Sequence, residues 1–202
     1  MFNWHLITRL AGVLGGLCLA FAASAQQPAP APHHHTGQTL TYTKDGATNV
    51  VQTVTVAPDG TNAWKASDGW EWTQKAFFER GRTWKSPKGE TGQQTYGSDL
   101  DAIFPLQVGK EASSTFSGSM SNGQSWHGII KCKVESTVPR TVPAGTFDTF
   151  EVVCRMGQNP DQTPDTTITH YYAPKLGVDV VYREYTPKEN ANTVQELVSF
   201  GG

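Results

Sequence analysis

From Gln38 to the C-terminus the chain repeats one pattern, in which short runs of alternating residues rich in Thr, Val, Tyr, Phe and Trp are cut by Asp-Gly, Asn-Gly or proline. "QTLTYTK", "TNVVQTVTVAP", "GWEWTQKAFF", "QSWHGIIKCKVEST", "TFDTFEVVCRM", "TTITHYYAP" and "VDVVYREYT" are examples, and hardly a stretch carries a helical period. About ten strands joined mostly by short turns define an all-β antiparallel meander. With almost no helix to cover it, such a sheet must curl to bury an apolar face. The expected forms are a strongly curved half-barrel, a closed barrel or a sandwich, with the first two, a barrel-like sheet, as the reading adopted. Ser86 to Glu111 is the least regular part, expected to hold a long loop or one short helical turn near Asp99.

The start of the chain has a different character. Arg9 is its only early charge, an apolar run extends from Leu10 to Ala22, and Ala23-Ser24-Ala25 places small residues at a cleavage position. That is the form of a secretory signal peptide over residues 1–25. The run falls short of the roughly 20 residues that a membrane-spanning helix needs, so no transmembrane segment is expected in the mature chain. Leu17 precedes Cys18, where lipid-modification signals carry a small residue, and a soluble periplasmic or extracellular protein is the expectation. Residues 26–37, "QQPAPAPHHHTG", alternate Pro and Ala and offer no face to bury, so they read as a linker. His33, His34 and His35 are adjacent, without the spacing of a preformed metal site, and no metal centre is assigned to them. Residues 38–202 remain as a single β domain.

With 16 basic and 18 acidic side chains, the chain lacks the clustered positive charge that nucleic acid requires, and it shows no strong attraction to anionic lipid. Removal of the leader leaves Cys132 and Cys154, an even pair in a chain sent to an oxidising compartment, and a disulfide is expected between them. Pro143-Ala144-Gly145 lies midway. A hairpin folded there sets Cys132 opposite Cys154, with Ile130, Cys132 and Val134 facing inward alongside Phe150, Val152, Cys154 and Met156. The same register opposes Glu135 to Glu151 and Lys131 to Arg155, both like-charge pairs. A slip of two residues would pair Lys133 with Glu151 instead, so both registers stay open.

Three stretches, "FPLQVGKE" from Phe104, "TVPAGTFDTF" from Thr141 and "HYYAPKLGVDVV" from His170, resemble the PLxVGK, VPAGTFD and YAPxxGxV motifs of a family of bacterial exported β-sheet proteins known as a domain of unknown function. The resemblance spans about the last hundred residues. It implies an antiparallel, barrel-like envelope protein in which Pro143, Gly145, Phe147, Tyr172, Pro174 and Gly177 set turns and packing, and it supplies no catalytic residues.

No cofactor motif is present, and the candidates for chemistry fail on context. "GQSWHG" approaches the nucleophile elbow G-x-S-x-G, but the strand "IIKCKV" follows Ser125 where the elbow needs a helix. His127 and His170 sit on different strands, with no pattern to join them. Asp99 and Asp101 lack the further oxygen ligands of a calcium loop. The expectation is a protein that is not an enzyme.

The aromatic residues carry more information. Beyond the leader lie Trp64, Trp70, Trp72, Trp84 and Trp126, four of them between residues 64 and 84. Trp70 and Trp72, two apart, are expected on one face of one strand. They fit core packing or the lining of a cavity, and alternatively an exposed binding platform. Because a barrel of more than about eight strands has a lumen wider than its wall side chains fill, the leading expectation is an apolar, lipid-like or amphipathic ligand held on the curved sheet. The alternative is a module that binds a glycan or a protein partner through the Trp-rich strands.

Overall fold

The computed structural model describes residues 27–201, and the signal peptide expected over residues 1–25 lies outside them. Among the described residues twelve antiparallel strands follow one another round a closed barrel. They are β1 (Thr39–Lys44), β2 (Thr48–Val56), β3 (Asn62–Ala66), β4 (Glu71–Gln74), β5 (Thr83–Lys85), β6 (Thr91–Tyr96), β7 (Glu111–Met120), β8 (Ser125–Val142), β9 (Gly145–Gly157), β10 (Thr166–Ala173), β11 (Val178–Thr186) and β12 (Ala191–Gly201). Each strand pairs with its successor, and β1 closes the ring on β12. The meander expected from the turn residues is therefore present, and closure leaves no sheet edge. A 3-10 turn at Leu100–Ile103, capped by the Asp99 side chain, occupies the irregular segment as expected, which also contains β6. Among the described residues no helix is long and apolar enough to cross a membrane.

The β8–β9 hairpin settles its own register. Cys132 lies opposite Cys154 and the two are bonded. Lys131 does face Arg155, but a β-bulge between Val134 and Ser136 removes Glu135 from the ladder, so that Ser136 meets Glu151 and donates a 2.7 Å hydrogen bond to it. Glu135 turns instead to Lys133 (3.2 Å) and Arg155 (3.7 Å). One extra residue thus relieves the charge conflict without moving the cysteines, and such a bulge also bends a strand pair. At the hairpin tip the Ala144 N–H donates to the Leu197 carbonyl of β12 (3.0 Å), and the Arg140 guanidinium lies 3.8 Å above the Tyr171 ring. The "TVPAGTFDTF" stretch is the tip that clamps the barrel where β11, β12 and β1 meet. Val142 and Phe147 pack there with Tyr171, Val181 and Leu197.

Successive turns alternate between the two ends of the barrel. One end carries short turns and the eight-residue β9–β10 loop (residues 158–165), which inserts nothing into the core. The other carries, besides short turns, the β4–β5 connection (residues 75–82), the β6–β7 connection (residues 97–110) and the chain leading into β1. These longer segments fill that half of the lumen. Ala76, Phe78, Leu100, Ile103 and Leu106 pack with Ile130, Cys132, Val152, Cys154 and Tyr172 of the wall. The lumen that a twelve-stranded wall cannot fill by itself is occupied by inserted chain, and this half is a packed core.

The Pro/Ala/His-rich segment departs from the expectation of a spacer with no face to bury. Ala29 is only 2% exposed and forms a two-way bridge with Leu106, in which N–H groups donate across 3.2 and 2.7 Å. The Tyr172 hydroxyl donates to the Pro30 carbonyl (3.2 Å), and the His34 ring packs edge-on to Trp64. A small residue and a free carbonyl suffice to dock this segment, and neither leaves a periodic signal in the sequence.

Candidate functional site: an aromatic cup at the short-turn end

On β4, β5 and β8 the tryptophans toward the short-turn end keep partial exposure, whereas Phe78, Leu100, Ile103 and Leu106 at the other end are fully buried. The wall of this cup is a single row. Trp64 of β3 faces Trp72 of β4, which faces Trp84 of β5, then Gly92 of β6 and Met120 of β7. Trp64 is buried and stacks on Trp72, with centroids 5.9 Å apart and planes 10° from parallel. Trp72, Trp84 and Trp126 are half-buried.

Two glycines seat the indoles. A Cβ on Gly92 would come within 2.1 Å of Trp84 Cζ2, and one on Gly118 within 2.5 Å of Trp126 Cε2. Each ring therefore occupies the space over a glycine where another residue's side chain would stand, which is the close approach that glycine in a strand permits. The two rings lie 5.7 Å apart, and Trp126 Nε1 donates to Gln94 Oε1 at 2.8 Å. Gln94 in turn donates to the Tyr96 hydroxyl at 2.6 Å. The indole N–H is thus satisfied from behind, and apolar ring surface is presented to the lumen.

A polar floor lies across the barrel. The Arg80 N–H donates to the Tyr96 hydroxyl of β6 (3.0 Å), while its guanidinium reaches Glu184 of β11 at 2.5 Å. Residues 75–82 therefore span the lumen from one wall to the other. The Arg80 side chain stays 46% exposed. The Tyr182 hydroxyl holds the other Glu184 oxygen at 2.5 Å, and burial, then the Glu184 charge, pushes its pKa well above the usual phenol range. Below, Glu79 is buried and grips Arg82 through both carboxylate oxygens at 2.6 and 3.0 Å.

The remaining sequence candidates fall elsewhere. Trp70 is not on β4 with Trp72 but in the preceding turn, 38% exposed, because Asp68-Gly69 turns the chain until Glu71. His127 is exposed on β8 and His170 buried on β10, so the two do not converge. His170 Nδ1 meets Asp179 Oδ2 at 2.7 Å, an arrangement resembling a base and its orienting group. Its Nε2, however, is buried and without a partner, with the rings of Phe78 and Tyr182 packed around the imidazole at 4.9 and 5.4 Å. Ser125 opens a strand. Asp99 caps the 3-10 turn, and Asp101 accepts the Phe77 N–H at 2.8 Å, so both acids have structural work. Among the described residues no three His, Cys, Asp or Glu side chains gather to hold a metal ion. Sequence reasoning missed Arg80, Glu184, Gly92 and Gly118, and only the glycines inside strand-like runs gave a signal.

The same wall lines an open groove of about 610 Å³, to which Trp64, Trp72, Trp84, Gly92 and Met120 contribute together with the residues between them. Because neighbours along a strand point to opposite faces, the residues flanking the tryptophans form the polar face of this wall. Ala63, Thr73, Thr83, Gln93 and Ser119 form one row, and Lys65, Glu71, Lys85, Thr91 and Ser121 the next.

A twelve-stranded antiparallel barrel filled by inserted chain at one end is the class of protein these observations define. The hypothetical lipoprotein YmcC from Escherichia coli shares this fold, with a TM-score of 0.54 over 85% of this chain and 88% of that one at 8% identity. Also similar are a Bacteroides fragilis protein of YmcC-like fold described as exported (TM-score 0.46, 15% identity, 87% of this chain and 100% of that one) and one from Parabacteroides distasonis described as a lipoprotein (TM-score 0.41, 12% identity, 87% and 100%). No protein-family model matches the chain, and no curated protein matches its sequence.

Proposed function

We propose that this chain is a non-catalytic, exported envelope protein that holds an amphipathic molecule in the aromatic cup, with the apolar part against Trp72, Trp84 and Trp126 and the polar part at Arg80. The observation that carries the reading is the pair of indoles seated over Gly92 and Gly118, half-exposed on the inner wall. Mostly apolar walls with a few placed polar groups are what small-molecule sites offer. The leader and the Cys132–Cys154 disulfide support export. The buried surroundings of His170 and the strand that follows Ser125 support the non-catalytic part. Titration with dodecanoate or a lysophospholipid below its micellar concentration should shift tryptophan emission saturably, and Trp84→Ala with Trp126→Ala should abolish the shift. No saturable change in the folded wild-type protein would refute the reading.

The groove's polar residues favour a second reading, in which a glycan lies along its Thr, Ser, Gln and Lys side chains. Soluble oligosaccharides would then bind, and Thr83→Val with Lys85→Ala would weaken them while leaving amphiphile binding in place. Absence of binding to neutral and acidic oligosaccharides alike would dismiss it.

A further inference from the structure

The end opposite the cup is closed by chain of an unusual kind. Pro28 to His35 contribute no strand, yet they bridge Leu106 through Ala29, receive the Tyr172 hydroxyl at Pro30 and lay His34 against the barrel. The His34 ring sits 5.1 Å from the Trp64 ring centre, nearly perpendicular to it, and 6.4 Å from Phe77. Its Nδ1 meets Gln38 Oε1 at 3.1 Å. Pro32 lies against Gly177 and the His35 carbonyl accepts the Gln38 N–H at 3.1 Å, while the side chains of His33 and His35 are exposed.

We propose that residues Pro28–His35 form an acid-released strap, which closes the packed end of the barrel at neutral pH and leaves it, the barrel remaining folded, when His34 is protonated. Burial is the largest influence on His34 and holds its pKa below the usual 6.5. The neighbouring His35 and His33 push the same way, and Gln38 and the more distant Asp179 oppose them. A group whose docked pKa is depressed in this direction favours docking while neutral. The contribution is present above pH 6.5 and lost as pH falls through the docked value.

Other titratable groups near the His34 ring have partners of their own. His170 is bonded to Asp179 across the Phe77 ring from His34. Tyr42 is tied to the Asp179 carbonyl. Asp101, beside Phe77, has its pKa raised to about 6, chiefly by burial. Protonation of Asp101 on acidification therefore favours the folded arrangement, opposite in sign to His34, so loosening of the strap in acid cannot come from it.

Against the strap lies a buried polar atom without a partner, Trp64 Nε1. Groups of this kind otherwise require water. Release of the strap would bring solvent to Trp64, whose ring it covers.

Amide hydrogen exchange of the mature chain, expressed as protection factors so that intrinsic pH effects cancel, tests the proposal. Between pH 7.5 and 5.0 the Ala29 and Leu106 amides, which bond to each other's carbonyls, should lose at least about tenfold in protection, while the Val152 and Cys154 amides of β9 keep theirs. His34→Phe and His34→Gln should both remove the pH dependence, and the double variant His33→Gln with His35→Gln should retain it. Protection at Ala29 that is independent of pH, an equal loss in His34→Phe, or a parallel loss in β9 would each overturn the proposal.

Discussion

Replacing Gly92 by alanine places a methyl group where the Trp84 indole now lies, 2.1 Å from Cζ2 against an ordinary contact beyond 3.4 Å. In a strand where glycine had no special role, alanine would stabilise the fold, since glycine loses more conformational freedom on folding. Here the indole has to leave its seat, and overpacking of this kind costs about 1–3 kcal/mol. Gly118→Ala should cost more. Trp126 would be displaced by a Cβ 2.5 Å from its ring, and its 2.8 Å bond to the buried Gln94 would break, adding about 1 kcal/mol. For a domain of this size these losses correspond to melting temperatures lower by about 3–10 °C. Thermal and denaturant unfolding measure them, and the emission spectrum reports the movement of the ring. A Gly92→Ala protein with unchanged or raised stability and unchanged emission would refute the reasoning, because the indole could not then be seated over that residue.

Other perturbations follow from the same contacts. Cys132→Ala with Cys154→Ala opens a loop of 22 residues' separation and should lower stability by about 3 kcal/mol in the chain-entropy account, measurable by urea unfolding. Asp101→Asn should stabilise the protein at pH 7.5 by about 1–3 kcal/mol, because burial raises the Asp101 pKa to about 6 and its ionised form is disfavoured in the fold. Below about pH 3 the advantage should vanish, since the carboxyl is then neutral in folded and unfolded chains alike, and unfolding curves at the two pH values decide it. Removal of residues 26–35 should lower the melting temperature by several degrees, through loss of the Ala29–Leu106 bridge and the Tyr172–Pro30 bond.

The meander was legible because alternation and turn residues are local signals. Cys132 and Cys154 could be set opposite each other by counting from Pro143, and the bulge at Glu135 was foreshadowed by the charge conflict it resolves. Closure was less legible. The pairing of β1 with β12 joins residues far apart in sequence, and strands as short as Thr83–Lys85 resemble loop when read alone. The site divided similarly. Trp72, Trp84 and Trp126 stood out by residue type, whereas their partners did not. Gly92 and Gly118 matter for the absence of a side chain, and Arg80 reaches Glu184 only because the β4–β5 loop crosses the lumen. Ala29 and Pro30 dock through backbone groups, which every sequence possesses, so composition could mark them only as spacer.

The central claim is that the half-exposed tryptophans at the short-turn end face a bound molecule. Native mass spectrometry of the protein released from the envelope of cells that express it tests this most directly. A co-purifying amphiphile of defined mass is expected on the wild-type protein and absent from a folded Trp84→Ala, Trp126→Ala variant. A wild-type protein that carries no adduct and acquires none when incubated with total envelope lipid would contradict it.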